Sequence, residues 1–263
     1  MFSIDPRGGH NRRKFKTDFF EKWSPDMAYV LGFLYADGDI EDVRKSSRTQ
    51  YITIGSKDKE ILESIKVAMG SEHNINRRIA HEFISPNGKK YERLEFYRLR
   101  IGSKKMFYDL LKLGLTPRKS LTIKFPNNIP SDCFSHFVRG YFDGDGCITI
   151  KRGVGKYGQS ILKGIATIFT SGSELFLEGL KDKAYKLAGF RKRSVYYGGS
   201  SHAYYLKYDT LESLKWFKLF YGNSLPSLFL QRKFNVFKKY FQLRSSRIDK
   251  EVLEILNSGH VVK

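Results

Sequence analysis

Asp37 and Asp145 close two segments of the chain that read almost alike: Val30-Leu31-Gly32-Phe33-Leu34-Tyr35-Ala36-Asp37-Gly38 and Val138-Arg139-Gly140-Tyr141-Phe142-Asp143-Gly144-Asp145-Gly146. An internal repeat with a carboxylate at the same place twice points to two acids meeting about a pseudo-twofold axis. Both are expected at the carboxyl ends of helices, where the helix dipole disfavours an anion. Bringing two such ends together adds carboxylate repulsion. A divalent cation held between them reverses that balance. Oxygen ligands select a hard ion, of which Mg²⁺ fits best. A metal that activates water and steadies a leaving oxygen suits phosphodiester hydrolysis.

The elements that must position these acids are legible around them. Ser24-Pro25-Asp26 is a strong helix start, with a hydroxyl N-cap, Pro at the first helical position and an acid in the first turn. This helix is expected to run to Asp37, with Gly38 stopping it. Ser131-Asp132 begins an equivalent helix ending at Asp145-Gly146. Gly32 and Ala36 lie one turn apart on one face, and Gly140 and Gly144 match them. Side chains without bulk there let two helix backbones approach closely, so these four residues are the expected helix interface.

The order of elements after each helix also repeats. In the first half, strands are expected at Asp39–Val43 and Gln50–Gly55, then a helix at Lys57–Met69. A hairpin joins Asn74–Phe83 to Tyr91–Ile101 across Ser85-Pro86-Asn87-Gly88, and Ser103 caps a helix through Leu113. In the second half, strands are expected at Cys147–Arg152 and Gly164–Thr170, and a helix at Ser173–Leu187. Strands near Arg193–Tyr197 and Ala203–Tyr208 and a helix from Asp209 complete it. The fold class is therefore α+β: two related αββαββα units, residues 24–113 and 131–242. They are flanked by a basic N-terminal arm (1–23, with Arg12, Arg13, Lys14 and Lys16), a Pro-containing linker (114–130) and a tail (243–263) that adds one more short helix.

The 263 residues can hold two domains, and 41% hydrophobic residues with 16 Tyr and 21 Phe describe a packed globular protein. A formal charge of +20 and a pI near 9.8 point to a polyanionic partner, nucleic acid ahead of a membrane surface. No apolar run approaches the roughly 20 residues of a membrane span, and the N-terminus lacks the apolar core of a secretion signal. Cys133 and Cys147 form no CxxC pair and have no His cluster nearby, so neither a zinc site nor a disulfide framework is indicated, and a reducing, intracellular setting fits.

The paired segments resemble the two signature motifs of single-chain LAGLIDADG homing endonucleases. The resemblance spans residues 24–242 and extends to Leu115-Thr116-Pro117-Arg118-Lys119-Ser120 and Phe137-Val138-Arg139-Gly140-Tyr141. It implies that Asp37 and Asp145 bind metal and that Ala36 and Gly144 add main-chain carbonyls. The sixth motif position is Tyr35 in one copy and Asp143 in the other, a departure that bears on packing and not on the metal. Family members often carry a basic residue late in the fourth strand of each half, near the scissile phosphates. Arg100 and Lys207 occupy that place.

The resemblance also implies that the antiparallel sheets form a DNA-binding saddle. In the first half Arg44, Lys45, Arg48, Arg77, Arg78, Arg93 and Arg98 are the candidate DNA contacts. In the second they are Lys151, Arg152, Lys163, Arg191, Lys192, Arg193 and Tyr197. Some would bind phosphates and others read base edges. The halves differ at these places, so the expected partner is double-stranded DNA with a long, partly asymmetric site, bound by a monomer. The implied function is metal-dependent, site-specific double-strand cleavage; the alternative is an RNA maturase or a non-cleaving DNA-binding regulator. An intein is disfavoured, since no nucleophile begins the chain and no His-Asn pair ends it.

Overall fold

The computed structural model describes residues 13–42, 49–222, 227–244 and 249–257. Ser24 caps helix α1 (Pro25–Asp37), its hydroxyl accepting from the Met27 amide at 3.2 Å. The helix is buried from Met27 through Tyr35, so it is a central element and not an amphipathic surface one. The chain leaves it directly into strand β1 (Gly38–Glu41). Gly38 is extended, not left-handed; a Cβ there would lie 2.6 Å from Leu34 Cα and 2.7 Å from its carbonyl oxygen. The glycine thus permits a tight exit from helix to strand, and Gly146 does the same against Phe142.

Strand β2 (Tyr51–Ser56), helix α2 (Lys59–Ala68) and strand β3 (Ile75–Arg78) come next. The expected long hairpin is present but divided. Strands β4 (His81–Ile84) and β5 (Lys90–Arg93) form a separate two-stranded ribbon, and β3 pairs instead with β6 (Phe96–Gly102). Helix α3 (Lys104–Lys112) is capped by Ser103, whose hydroxyl accepts from the Met106 amide. Residues 114–130 are no loose tether, for Leu115, Lys119, Ile123, Phe125 and Ile129 are all buried. Of the arm, residues 14–16 pair through their backbone with Met69 and Glu72.

The second half repeats the order with changes at its ends. Ser131–Cys133 forms a 3₁₀ turn, and helix α4 begins only at Phe134 and runs to Asp145. Ser131 makes no side-chain cap, because the tighter turn after Pro130 closes with a Cys133 amide to Pro130 carbonyl bond. Strands β7 (Gly146–Val154) and β8 (Ser160–Ser171) are longer than expected, extending as a hairpin with a bulge at Lys151/Arg152 that leaves Lys163 unpaired. Helix α5 (Glu174–Ala188), strands β9 (Val195–Gly198) and β10 (Ala203–Tyr208) and helix α6 (Thr210–Tyr221) complete the repeat. The segment from Asp209 to residue 242 is not one helix: α6 ends at Tyr221, and a second helix, α7 (Gln231–Gln242), packs beside it through Phe234, Phe237 and Phe241 against Phe217. A short helix α8 (Lys250–Asn257) lies beyond it, as expected of the tail.

The two main sheets have the same antiparallel order, β1-β2-β6-β3 and β7-β8-β10-β9. Each packs one face on its helices, and α1 and α4 form the contact between the halves.

Candidate active site and nucleic-acid interface

The four small residues do bring the helices together. A Cβ on Gly32 would lie 2.0 Å from the Phe137 carbonyl oxygen and 2.9 Å from the Tyr141 amide nitrogen; one on Gly140 would lie 2.0 Å from Tyr29 O and 3.0 Å from Phe33 N. These contacts are twofold reciprocals. Lower on the axis, a Cβ on Gly144 would strike Ala36 Cβ at 2.4 Å and approach the Asp37 Oδ2 at 3.2 Å. The end of α1 therefore rests on the end of α4, with the Asp37 carboxylate beside Gly144 and next to Asp145.

The electrostatics arise from this packing. Burial, and then the Asp37 charge, push Asp145 up to about 6. Asp37 is also raised by burial, although one side of it is open to solvent, and the positive charges of Lys233 and Lys119 oppose the rise. Among the described residues neither carboxylate receives a hydrogen bond or an ion pair. The nearby cations are committed elsewhere. Lys119, 7% exposed, donates to the carbonyls of Ala36 (3.3 Å) and Gly38, and Lys233, 4% exposed, to those of Phe142, Asp143 (2.9 Å), Gly144 (3.4 Å) and Gly146 (2.6 Å). Each ammonium thus satisfies orphan carbonyls at a helix carboxyl end and offsets the dipole there. Burial lowers both lysines, Lys233 to about 8.

Sequence reasoning missed this pair. Lys119 lies in the segment Leu115–Ser120, without an assigned role, and Lys233 lies at the start of the unexpected α7. No local signal singles them out, for the Arg-Lys dipeptide at 118–119 and 232–233 also occurs at 13–14, 44–45 and 191–192.

An acid whose folded pKa is raised stabilises the protein below its unfolded value of 3.8, and that stabilisation is lost as pH rises through about 6. At about 1.4 kcal/mol per pH unit, ionised Asp145 destabilises the metal-free protein by up to about 3 kcal/mol at neutral pH. Asp145→Asn should therefore melt higher than wild type at pH 7 in a chelator, by about 5 °C, and no higher below pH 4. Equal melting temperatures at both pH values would contradict a raised Asp145 pKa, whether from burial or from the Asp37 charge.

The sixth motif position serves packing in both copies. The Tyr35 hydroxyl donates to the Leu113 carbonyl at 2.7 Å. Asp143, fully enclosed, accepts from the Tyr29 hydroxyl (2.7 Å) and the Leu230 amide (2.8 Å). Buried Arg139 donates to the Phe220 and Leu228 carbonyls at 2.9 and 3.0 Å, and to His136 Nδ1 at 2.9 Å. Burial, then Arg139, pushes His136 down to about 4, consistent with an accepting ring nitrogen. These bonds hold residues 228–230 against α4, and so aim Lys233 at the end of that helix.

Strand register sorts the basic candidates by face. Successive residues alternate, and core-facing Leu99 and Ile101 put Phe96, Arg98 and Arg100 on the open face of β6. Cross-strand partners Asn76 (of Arg98) and Arg78 (of Phe96) share that face. Arg100 lies over the Tyr51 ring at 3.8 Å and pairs with Glu41 at 2.8 Å. In the second sheet Lys207 takes the matching place, opposite Ile168 and so in line with Cys147. Lys151 shares the face and pairs with Asp209 at 2.6 Å. Neither Arg100 nor Lys207 forms a hydrogen bond or ion pair with Asp37 or Asp145.

Other candidates stand differently in the structure. Arg77 shares the helix-side parity of Ile75 and is taken by Glu95. Tyr197 pairs with Tyr204, on the face of core residue Leu206, so it points away from Lys207; Tyr196 and Tyr205 occupy the open face instead. Arg191 is drawn to Glu212 of α6, and Lys192 to Asp182 and over Tyr185 of α5. Arg193, before the start of β9, reaches Asp209, the acid that Lys151 also meets, at 3.5 Å. Each is a one-residue question of parity or a competing acid on a helix, neither visible in composition. Arg93 covers the Phe83 ring on the outlying ribbon, and Arg152 and Lys163 flank the β7–β8 bulge. Arg44, Lys45 and Arg48 lie outside the described residues.

Known proteins share this fold. The family described as LAGLIDADG-like domain matches residues 24–113 and 133–220. No curated protein sequence matches the chain. Among solved structures, the homing endonuclease I-WcaI bound to its DNA recognition sequence is 13% identical with a TM-score of 0.53, covering 82% of this chain and 89% of that one. The meganuclease I-SmaMI bound to uncleavable DNA is 16% identical (TM-score 0.52; 89% and 95% covered), and I-AabMI bound to uncleaved DNA is 14% identical (TM-score 0.51; 92% and 99%). At these identities the likeness is one of fold.

Proposed function

The chain belongs to the LAGLIDADG family, and from that premise we propose that it is a monomeric, site-specific double-strand DNA endonuclease dependent on a divalent cation. The observation that carries the reading is the meeting of Asp37 and Asp145 at the packed ends of α1 and α4, between two sheets whose open faces carry basic side chains. Two unneutralised carboxylates with raised pKa values fit a hard cation. Among the described residues no cluster of three His, Cys, Asp or Glu offers another site. The Ala36 and Gly144 carbonyls, each with a second lone pair beside its lysine contact, complete the donor set. Mg²⁺ is the ion we favour. When bound, it supplies an activated water and charge neutralisation at the leaving oxygen.

The rest is done by side chains of the chain. Lys119 and Lys233 hold the two helix ends in register and keep positive charge beneath the acids. Arg100 and Lys207, at matching places on the open faces, are proposed to steady the scissile phosphates. Arg78, Arg98, Lys151 and the hairpin residues Arg152 and Lys163 supply phosphate and base contacts. Among the described residues no helix is long and apolar enough to cross a membrane. Unpaired Cys133 and Cys147 support a reducing, intracellular setting.

The decisive test is selection of cleaved sequences from a random duplex library, with and without Mg²⁺. Enrichment of one long site, cut on both strands only with the metal, is expected. Tight binding without cleavage would favour the regulator or maturase reading.

DNA affinity should fall steeply with salt. With 47 Lys and Arg against 27 Asp and Glu, six or more phosphate contacts are expected, for a log–log slope on the order of −5 or steeper. A slope near zero would mean that the basic excess does not face DNA.

A further inference from the structure

The open faces of the two sheets carry different chemistry at equivalent places. We infer that the two half-sites are read by different means: Arg98 and Asn76 read purines through hydrogen bonds in one, and Tyr205 with Tyr196 reads a thymine methyl in the other. This rests on the endonuclease reading and adds to it the chemistry of each half-site.

The equivalence comes from register. Arg100 lies in the row Asp39–Thr53–Arg100, and Lys207 in the row Cys147–Ile168–Lys207. Two residues back along β6 and β10, the next rows are Gly55–Arg98–Asn76 and Thr170–Tyr205–Tyr196. These rows stand at the same remove from the centre, one in each half.

In the first, Arg98 and Asn76 are both exposed, and Arg98 has no ion pair among the described residues. A guanidinium fork matches O6 and N7 of guanine, and a carboxamide matches N6 and N7 of adenine. In the second, the Tyr196 and Tyr205 rings stack at 5.5 Å and 25°. The Tyr205 hydroxyl donates to Ser201 Oγ at 2.8 Å, so its polar tip is committed to the β9–β10 turn. What Tyr205 presents is ring surface, and the ring of Tyr196, 45% exposed, extends it. The thymine methyl is the apolar group that a base pair displays in the major groove.

The test begins with the site enriched by wild type, its two half-sites aligned about the cleavage centre. Arg98→Lys keeps the charge and loses the fork. It should relax discrimination for one guanine in one half-site by about 5- to 150-fold, leaving the other half-site and the salt slope unchanged. Asn76→Ala should relax the neighbouring adenine. Tyr205→Ala, and separately uracil in place of thymine at one position of the other half-site, should each weaken that preference several-fold, while Tyr205→Phe keeps it. Melting curves identify any variant that fails to fold, and the uracil duplex needs no variant. An enriched site unchanged by both Arg98→Lys and uracil substitution overturns this inference alone. A wild-type protein that enriches no sequence overturns the endonuclease reading and this inference together.

Discussion

Asp37→Asn and Asp145→Asn each abolish double-strand cleavage while leaving DNA affinity within a few fold of wild type. The amide keeps the shape of the carboxylate and removes the charge that binds the cation, so chemistry fails and docking does not. Loss of one strong electrostatic contact to the reacting centre typically costs at least ~10²-fold in rate. Here the two acids share one position at the packed helix ends, where the Asp37 carboxylate lies against Gly144, and burial, with the Asp37 charge second, pushes Asp145 up to about 6; a single neutral substitution disturbs both. The expected behaviour of Asp145→Asn is thus double: cleavage is lost while the metal-free protein becomes more stable at neutral pH. Cleavage assays and gel shifts on the selected duplex, run in parallel, check the first half. Robust cutting by either variant would remove these acids from the mechanism.

Gly32→Leu and Gly140→Leu destabilise the whole molecule, not one half of it. The atoms that a new Cβ would meet are backbone: Phe137 O and Tyr141 N in one case, Tyr29 O and Phe33 N in the other, at 2.0 to 3.0 Å. Backbone inside a helix cannot swing aside as a flexible side chain can, so the helices must separate. A cost of about 3 kcal/mol or more, at the upper end of overpacking, is expected, or a fall in melting temperature of about 5 °C or more. Activity should drop in the fraction still folded, because separating α1 from α4 also pulls Asp37 from Asp145, and misplacement of reacting groups is costly. Differential scanning calorimetry and cleavage at a permissive temperature measure both effects. Normal melting with full activity would show that the helices do not meet at these glycines.

Much of this was legible along the chain because it is written in local, repeated signals. The doubled Gly-x-x-x-Ala/Gly-Asp-Gly ending, the Ser24-Pro25-Asp26 and Ser103 starts and the Asn87-Gly88 turn each act within one turn or hairpin. The repeat then supplied the twofold relation of Asp37 to Asp145 and the location of the helix interface. Other features depend on contacts between distant residues, which no local signal carries. Lys233 reaches the end of α4 because Arg139 and Asp143 bind residues 228–230 and the phenylalanines of α7 pack on Phe217, and the linker delivers Lys119 to α1 by burying its own apolar side chains. The face on which a strand residue stands is set by register, so a one-residue difference put Tyr196 and Tyr205, and not Tyr197, beside Lys207. Charges at Arg77, Arg191 and Lys192 look alike in sequence, and only the fold shows which acids they meet and which face they take. The pair of acids, the repeat and the two glycine-lined helices can be read along the chain, because neighbouring residues encode them. Which cations lie beneath those acids, and which side chains face outward, follow from the folded molecule alone, because both depend on packing and cross-strand register.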